Sequence, residues 1–106
     1  MRIVEDLGQI EQTITQHSIV LLYVQAPNCG VCKVFLEWVR DMEADFDDVQ
    51  FMQTNIADVP SIAGRFHVLT APAVLVFLSG KEVYRGARYL KLHEIKEALQ
   101  DCQSLQ

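Results

Sequence analysis

The chain is poor in the residues that mark several functional classes. It has three cysteines in 106 residues, two of them in one Cys-x-x-Cys, which is too few for a disulfide framework and fits a reducing compartment. His17, His67 and His93 are scattered without ligand spacing, and Cys102 is the one cysteine left beside the pair. A four-ligand structural zinc site and an iron–sulfur cluster are therefore not expected. Nine Lys and Arg against fourteen Asp and Glu give a formal charge of -5, which argues against nucleic acid and anionic membrane surfaces as partners. No apolar run approaches the roughly 20 residues of a membrane span. Met1-Arg2-Ile3-Val4-Glu5-Asp6 meets acid before any signal-like apolar core. No glycine-rich nucleotide fingerprint is present, so no bound organic cofactor is expected. A soluble, cytoplasmic monomer of one domain over 1–106 fits this balance, and with 50% hydrophobic residues the chain can bury a core without metal or staples.

Against these absences stands Cys29-Gly30-Val31-Cys32, directly after the apolar run Ile19 to Val24 and directly before a helical pattern. Two residues between the sulfurs let one helical turn bring them to bonding distance. The first cysteine falls where unpaired backbone N–H groups point outward. A thiolate is stabilised there, below its free pKa of about 8.5, and the thiolate is the form that attacks another disulfide. The motif reads as a thiol–disulfide redox centre.

The rest of the chain supplies a frame for it. Asp6-Leu7-Gly8-Gln9 resembles a capping box, and Leu7, Ile10 and Ile14 place a first helix over about residues 7–17. Ile3 and Val4 make at most a stub of strand before it. Ile19 to Gln25 reads as a central strand buried on both faces. From Cys32, the residues Phe35, Trp38, Val39, Met42 and Phe46 form the inward stripe of a second helix, with Trp38 expected in the core. Val49 to Ile56 reads as a strand, Pro60 to Phe66 as a short helix opened by proline, and Ala73 to Leu78 as a further strand. Ser79-Gly80 marks a hairpin turn into Glu82 to about Arg88, and Leu92, Ile95 and Leu99 stripe a last helix. The acidic cluster Glu43, Asp45, Asp47 and Asp48 reads as solvated surface. His67 and Thr70 read as exposed loop, and Cys102 as a small buried or half-buried side chain.

This βαβ then ββα order resembles the thioredoxin family over nearly the whole chain. The resemblance is carried by Ala26, Cys29-Gly30-Val31-Cys32-Lys33, Asn55-Ile56-Ala57-Asp58, Ala71-Pro72 leading into Val74-Leu75-Val76-Phe77, and Gly80. It implies an α/β thioredoxin fold, with helices on both faces of a central mixed sheet of four strands, five if the N-terminal stub pairs. It also implies a cis Ala71-Pro72 bond beside the sulfurs and a substrate chain held against Gly30, Val31, Ala71 and Pro72. The implied activity is reduction of protein disulfides. Cys29 attacks, Cys32 resolves, and a thioredoxin reductase or a low-molecular-weight thiol returns the electrons.

The chain also departs from the family. Tyr23 stands where thioredoxins carry a buried aspartate, and Gln53 where its lysine neighbour lies. Gln25 and Asn28 replace the aromatic residues flanking the motif, Val31 replaces the proline between the cysteines, and Glu37 replaces a kinking proline, so a straighter helix is expected. Counted without gaps from Pro72, the groove-lining glycine falls on Arg88, while Gly86 lies two residues earlier. The competing reading is a thioredoxin-fold binding or accessory module with little turnover. Loss of the buried pair favours it, and retention of both cysteines and of Ala71-Pro72 opposes it.

Overall fold

One strand with two apolar faces organises the molecule. The computed structural model describes residues 1–106. In chain order they form β1 (Arg2–Ile3), α1 (Leu7–Gln16), β2 (Ile19–Gln25), α2 (Gly30–Met42) with a 3-10 turn (Glu43–Asp45), β3 (Gln50–Asn55), α3 (Ser61–Phe66), β4 (Ala73–Leu78), β5 (Lys81–Ala87) and α4 (Leu92–Leu105). The sheet order is β1-β3-β2-β4-β5, with β2 at the centre. β3 runs parallel to β1 and β2, whereas β4 runs antiparallel to β2, and β5 to β4.

Strand alternation divides β2 between two layers. Val20, Leu22 and Val24 pack with Ile10 and Ile14 of α1 and with Ile62 and Phe66 of α3. Ile19, Leu21 and Tyr23 pack with Val39 and Met42 of α2 and with Ile95 and Leu99 of α4. Each of these six β2 residues is 0% exposed. Burying an aliphatic side chain of this size contributes about 1.5–3 kcal/mol, so covering both faces is what holds the helices on the sheet.

The N-terminal stub joins the sheet as its fifth strand. Arg2 and Ile3 pair with Met52 and Gln53, and the Val4 amide donates to the Gln53 carbonyl at 2.9 Å. The Asp6 carboxylate caps α1 by accepting from the Gln9 amide at 2.8 Å. α2 begins at Gly30, before the expected start at Cys32, and its regular turns end at Met42; the apolar stripe reaches Phe46 through the 3-10 turn. With Glu37 in place of a proline, its backbone runs without interruption.

The expected hairpin between β4 and β5 is present. Leu78 pairs with Lys81 around Ser79 (φ +50) and Gly80 (φ +85), two left-handed residues that match the twist of the flanking strands. A Cβ at Gly80 would meet nothing within 4 Å, so any penalty there belongs to the backbone alone. Gly80→Ala is expected to lower stability by about 1 kcal/mol, read as a fall in the urea midpoint at constant m-value. An unchanged midpoint would show that the turn relaxes without penalty.

Candidate active site

β2, the central strand, delivers the site at its C-terminal end. The chain leaves Gln25 through Ala26, Pro27 and Asn28, with Asn28 in a left-handed conformation (φ +58) that asparagine tolerates better than most residues. Cys29 then becomes the N-cap residue of α2. Cys29 and Cys32 are joined as a disulfide, their Cα atoms 5.3 Å apart across the first helical turn. Cys29 is partly exposed, whereas Cys32 is 1% exposed, so an incoming group meets Cys29 first. No side chain caps α2, and its first turn contains no acidic residue. The positive end of the helix therefore faces Cys29, where it stabilises the thiolate produced on reduction.

The antiparallel pairing of Val24 with Ala73 brings the start of β4 to the edge where β2 ends. There the Ala71-Pro72 bond is cis, as the resemblance implies. Pro72 is buried and Ala71 half-buried, while Gly30 and Val31 lie exposed over the disulfide, Val31 at 48%. The Pro72 carbonyl accepts from the Arg88 amide at 2.8 Å. Arg88, with φ +66, holds the backbone conformation that favours glycine and borders Pro72 itself. Gly86 instead pairs with Val74, where a Cβ would lie 3.0 Å from the Tyr84 hydroxyl. The β-bulge at Val76/Phe77 lies beyond Gly86 and does not carry it to Pro72.

Beneath the disulfide, Tyr23 and Gln53 are direct partners across β2 and β3. The Tyr23 phenol donates to the Cys32 carbonyl at 2.5 Å. Burial pushes its pKa well above the ordinary tyrosine value, so it remains protonated through the neutral range and acts as a donor. The Gln53 side-chain oxygen is buried without a hydrogen-bond partner. No carboxylate or ammonium occupies the space under Cys32, where the family keeps an ion pair.

Other residues fall outside this centre. Trp38 is 47% exposed, which corrects its expected place in the core. Each helical residue turns the side-chain direction by about 100°, so a stripe centred on Cys32, Val39 and Met42 leaves Trp38 at its margin. It meets Phe35 edge-on, ring centroids 5.3 Å apart. Of the acidic cluster, Asp45, Asp47 and Asp48 are exposed as expected, the Asp48 carboxylate accepting from Gln103 at 2.8 Å and from Gln106 at 2.7 Å, while Glu43 is half-buried and pairs with the N-terminal ammonium at 2.8 Å. His67 is exposed. Cys102 is buried, and that burial, followed by Asp101, raises its thiol pKa.

Lys33 and Asn55 had no assigned role from the sequence. With Gln25, Asn28 and Cys29 they line an open cleft of about 440 Å³ beside the disulfide. The replaced aromatic positions at Gln25 and Asn28 were the available signal.

A mixed sheet with a Cys-x-x-Cys disulfide at the first residues of a helix is the arrangement of a thiol–disulfide oxidoreductase domain. The thioredoxin family model matches residues 4–101, and the chain belongs to the thioredoxin family. It is 34% identical over 93 residues to the thioredoxin-like protein YdfQ of Bacillus subtilis, covering 88% of this chain and 83% of that protein. It is 26% identical over 102 residues to the thioredoxin of the same bacterium, covering 95% and 94%. In fold it matches a thioredoxin of Plasmodium falciparum with a TM-score of 0.86, at 17% identity, over 95% of this chain and 98% of that one. The protein is a protein-disulfide oxidoreductase working through the Cys29–Cys32 pair.

Two outcomes follow from the geometry around the site. Arg88→Gly is expected to raise stability by about 0.5–1 kcal/mol, because relief of the left-handed backbone exceeds the added chain entropy. A lower denaturant midpoint would instead reveal a stabilising contact of the arginine side chain. Two phenols, half-buried Tyr84 and buried Tyr23, set an alkaline limit: desolvation and then Glu94 push Tyr84 up to about 12, and Tyr23 is raised in the same direction. Each contributes stability that is complete below the unfolded tyrosine value of about 10 and is lost as pH rises through the folded value. Midpoints measured from neutrality to about pH 12 should fall above about pH 10, and Tyr23→Phe should make that fall shallower.

Proposed function

We propose that Cys29 is the attacking sulfur and Cys32 the resolving one, with Gly30, Val31, Ala71 and Pro72 bordering the bound substrate chain. The observation that carries this assignment is the asymmetric exposure of two bonded sulfurs at an uncapped helix start. In the reduced domain, the Cys29 thiolate attacks one sulfur of a target disulfide. That bond breaks, and the other sulfur leaves as a thiolate. Backbone groups of Ala71 hold the substrate strand in β fashion. Cys32 then loses its proton and attacks Cys29, releasing the second substrate sulfur as a thiolate that takes its proton from solvent. Two electrons and the one Cys32 proton pass from the domain, which retains the Cys29–Cys32 disulfide.

The proton of Cys32 has no internal acceptor. Tyr23 is kept protonated and is engaged with the Cys32 carbonyl, and the Gln53 amide does not titrate. The departing substrate thiolate or water therefore takes that proton. Tyr23 acts as a positioning residue that fixes the first turn of α2. A binding module would need neither the bonded pair nor this arrangement, which favours turnover.

The reductant is a protein reductase or a low-molecular-weight thiol. The cytoplasmic address, the monomeric state and a role in electron transport and cell redox homeostasis belong to the same proposal. Their support is the charge of -5 and the sparing use of cysteine. No helix is long and apolar enough to cross a membrane.

Insulin reduction driven by dithiothreitol should be lost in Cys29→Ser, and Cys32→Ser should accumulate a mixed disulfide with the substrate. A Cys32→Ser form as fast as the parent would support the binding module. The pair should equilibrate at or below about -240 mV if the domain donates electrons to protein disulfides, whereas a value above about -200 mV would reverse the direction. Tyr23→Phe should leave the shape of the turnover profile from about pH 6 to 9 unchanged, while Tyr23→Asp should add an ionisation. A new limb in the phenylalanine variant would make the phenol part of the proton path.

A further inference from the structure

The cleft beside Cys29 has a composition unlike the rest of this acidic chain. Its polar lining residues are Gln25, Asn28, Asn55 and Lys33, and no Asp or Glu is among them; the Asn55 side-chain oxygen accepts from the Ala57 amide at 2.9 Å, which leaves its NH2 group free to donate. Lys33 takes part in none of the four ion pairs of the molecule. At about 440 Å³ the cleft falls within the roughly 300–1,000 Å³ of small-molecule sites. It lies where the resemblance puts two aromatic rings and this chain has two short amides, so the space beside the nucleophile is open and hydrogen-bonding. The uncapped start of α2 at the same place adds to the positive potential.

We propose that this cleft is a subsite for a low-molecular-weight thiol bearing a carboxylate, bound as its disulfide or its mixed disulfide with Cys29. The inference rests on Cys29 being the attacking sulfur and specifies the small-molecule partner of that site. Lys33 pairs with the carboxylate, and the Gln25 and Asn28 carboxamides, with the Asn55 NH2 group as a further donor, satisfy the amide or hydroxyl groups of the small molecule. The Cys29 thiolate displaces one thiolate from the disulfide and keeps the other half in the cleft. Attack by Cys32 then closes the internal disulfide and releases the second thiol, so two electrons leave the protein and two small thiols form. In reverse, two equivalents of the small thiol reduce the Cys29–Cys32 bond and leave as their disulfide. The same cleft therefore suits the thiol as physiological reductant.

The test uses Cys32→Ser, in which Cys29 reacts once and the adduct persists. Rate constants for mixed-disulfide formation are measured by intact mass with oxidised glutathione, which carries carboxylates, and with bis(2-hydroxyethyl) disulfide, which carries none. The ratio of the two should favour oxidised glutathione by about fivefold at low salt, the factor expected of one partly exposed charge contact. Added salt, Lys33→Gln, and the cleft-filling pair Gln25→Trp with Asn28→Trp should each bring the ratio toward one. A ratio near one in the Cys32→Ser protein, or an advantage that survives both sets of replacements, overturns the subsite while leaving Cys29 as nucleophile. Failure of both disulfides to react removes the nucleophile assignment, and the subsite with it.

Discussion

Double-sided burial of β2 is the constraint on which the rest depends. Its six buried residues give three to each layer, and these anchor α1 and α3 on one face and α2 and α4 on the other. Because β2 is central, its last residues have paired neighbours on both sides: Gln25 opposite Asn55 in β3 and Val24 opposite Ala73 in β4. A redox motif appended to such a strand starts from a nearly immobile point. The helix that follows is fixed by its own apolar stripe, so the geometry of the two sulfurs is set by packing some distance away. Antiparallel return of β4 then brings Pro72 to the same edge.

Chemistry at that edge is tuned by neutral groups where the family uses charged ones. A buried carboxylate next to a lysine would be an internal base for the resolving thiol, at the expense of desolvating two charges. Tyr23 and Gln53 avoid that desolvation. The phenol gives its proton to a backbone carbonyl, while the buried Gln53 oxygen goes unpaired, a deficit of about 1–3 kcal/mol left in the centre of the domain. In the mechanism proposed above, the resolving step therefore relies on the substrate's own leaving group or on water. Charge has moved outward instead: Lys33 lines the cleft beside Cys29, and Arg88 sits on the other flank beside Pro72. Retaining an arginine in a left-handed conformation beside Pro72 is the kind of strain that functional sites hold.

Much of the fold was legible because the strands announce themselves. Ile19 to Val24 and Ala73 to Phe77 are near-continuous apolar runs, and their shortness, β-branched content and flanking prolines or polar residues fit a strand buried on both faces better than a helix. Ser79-Gly80 is a two-residue link of the type that adopts positive φ, and it does. Trp38 was misplaced because a helical stripe has a width: periodicity places it within reach of the core, but the rotation of α2 about its own axis is chosen by Cys32, Val39 and Met42 together. The fifth strand was uncertain from two residues alone, since β1 is stabilised by pairing with β3 and hardly by its own side chains.

The sequence by itself determined the chemistry and the order of elements. Two cysteines three positions apart at a strand-to-helix junction can act as a redox pair through local geometry, and the absence of a carboxylate at Tyr23 is a matter of identity. Tertiary structure alone decided which groups surround that pair. Arg88 reached Pro72 because the register of β5 on β4 is set by a bulge and a tight turn, neither of which periodicity encodes. The cleft of Gln25, Asn28, Lys33 and Asn55 exists because β3 ends beside β2 and leaves unfilled the volume between them and α2. Spacing along a chain fixes what neighbouring residues do to one another, whereas contacts between distant segments are fixed by the packing of the whole sheet.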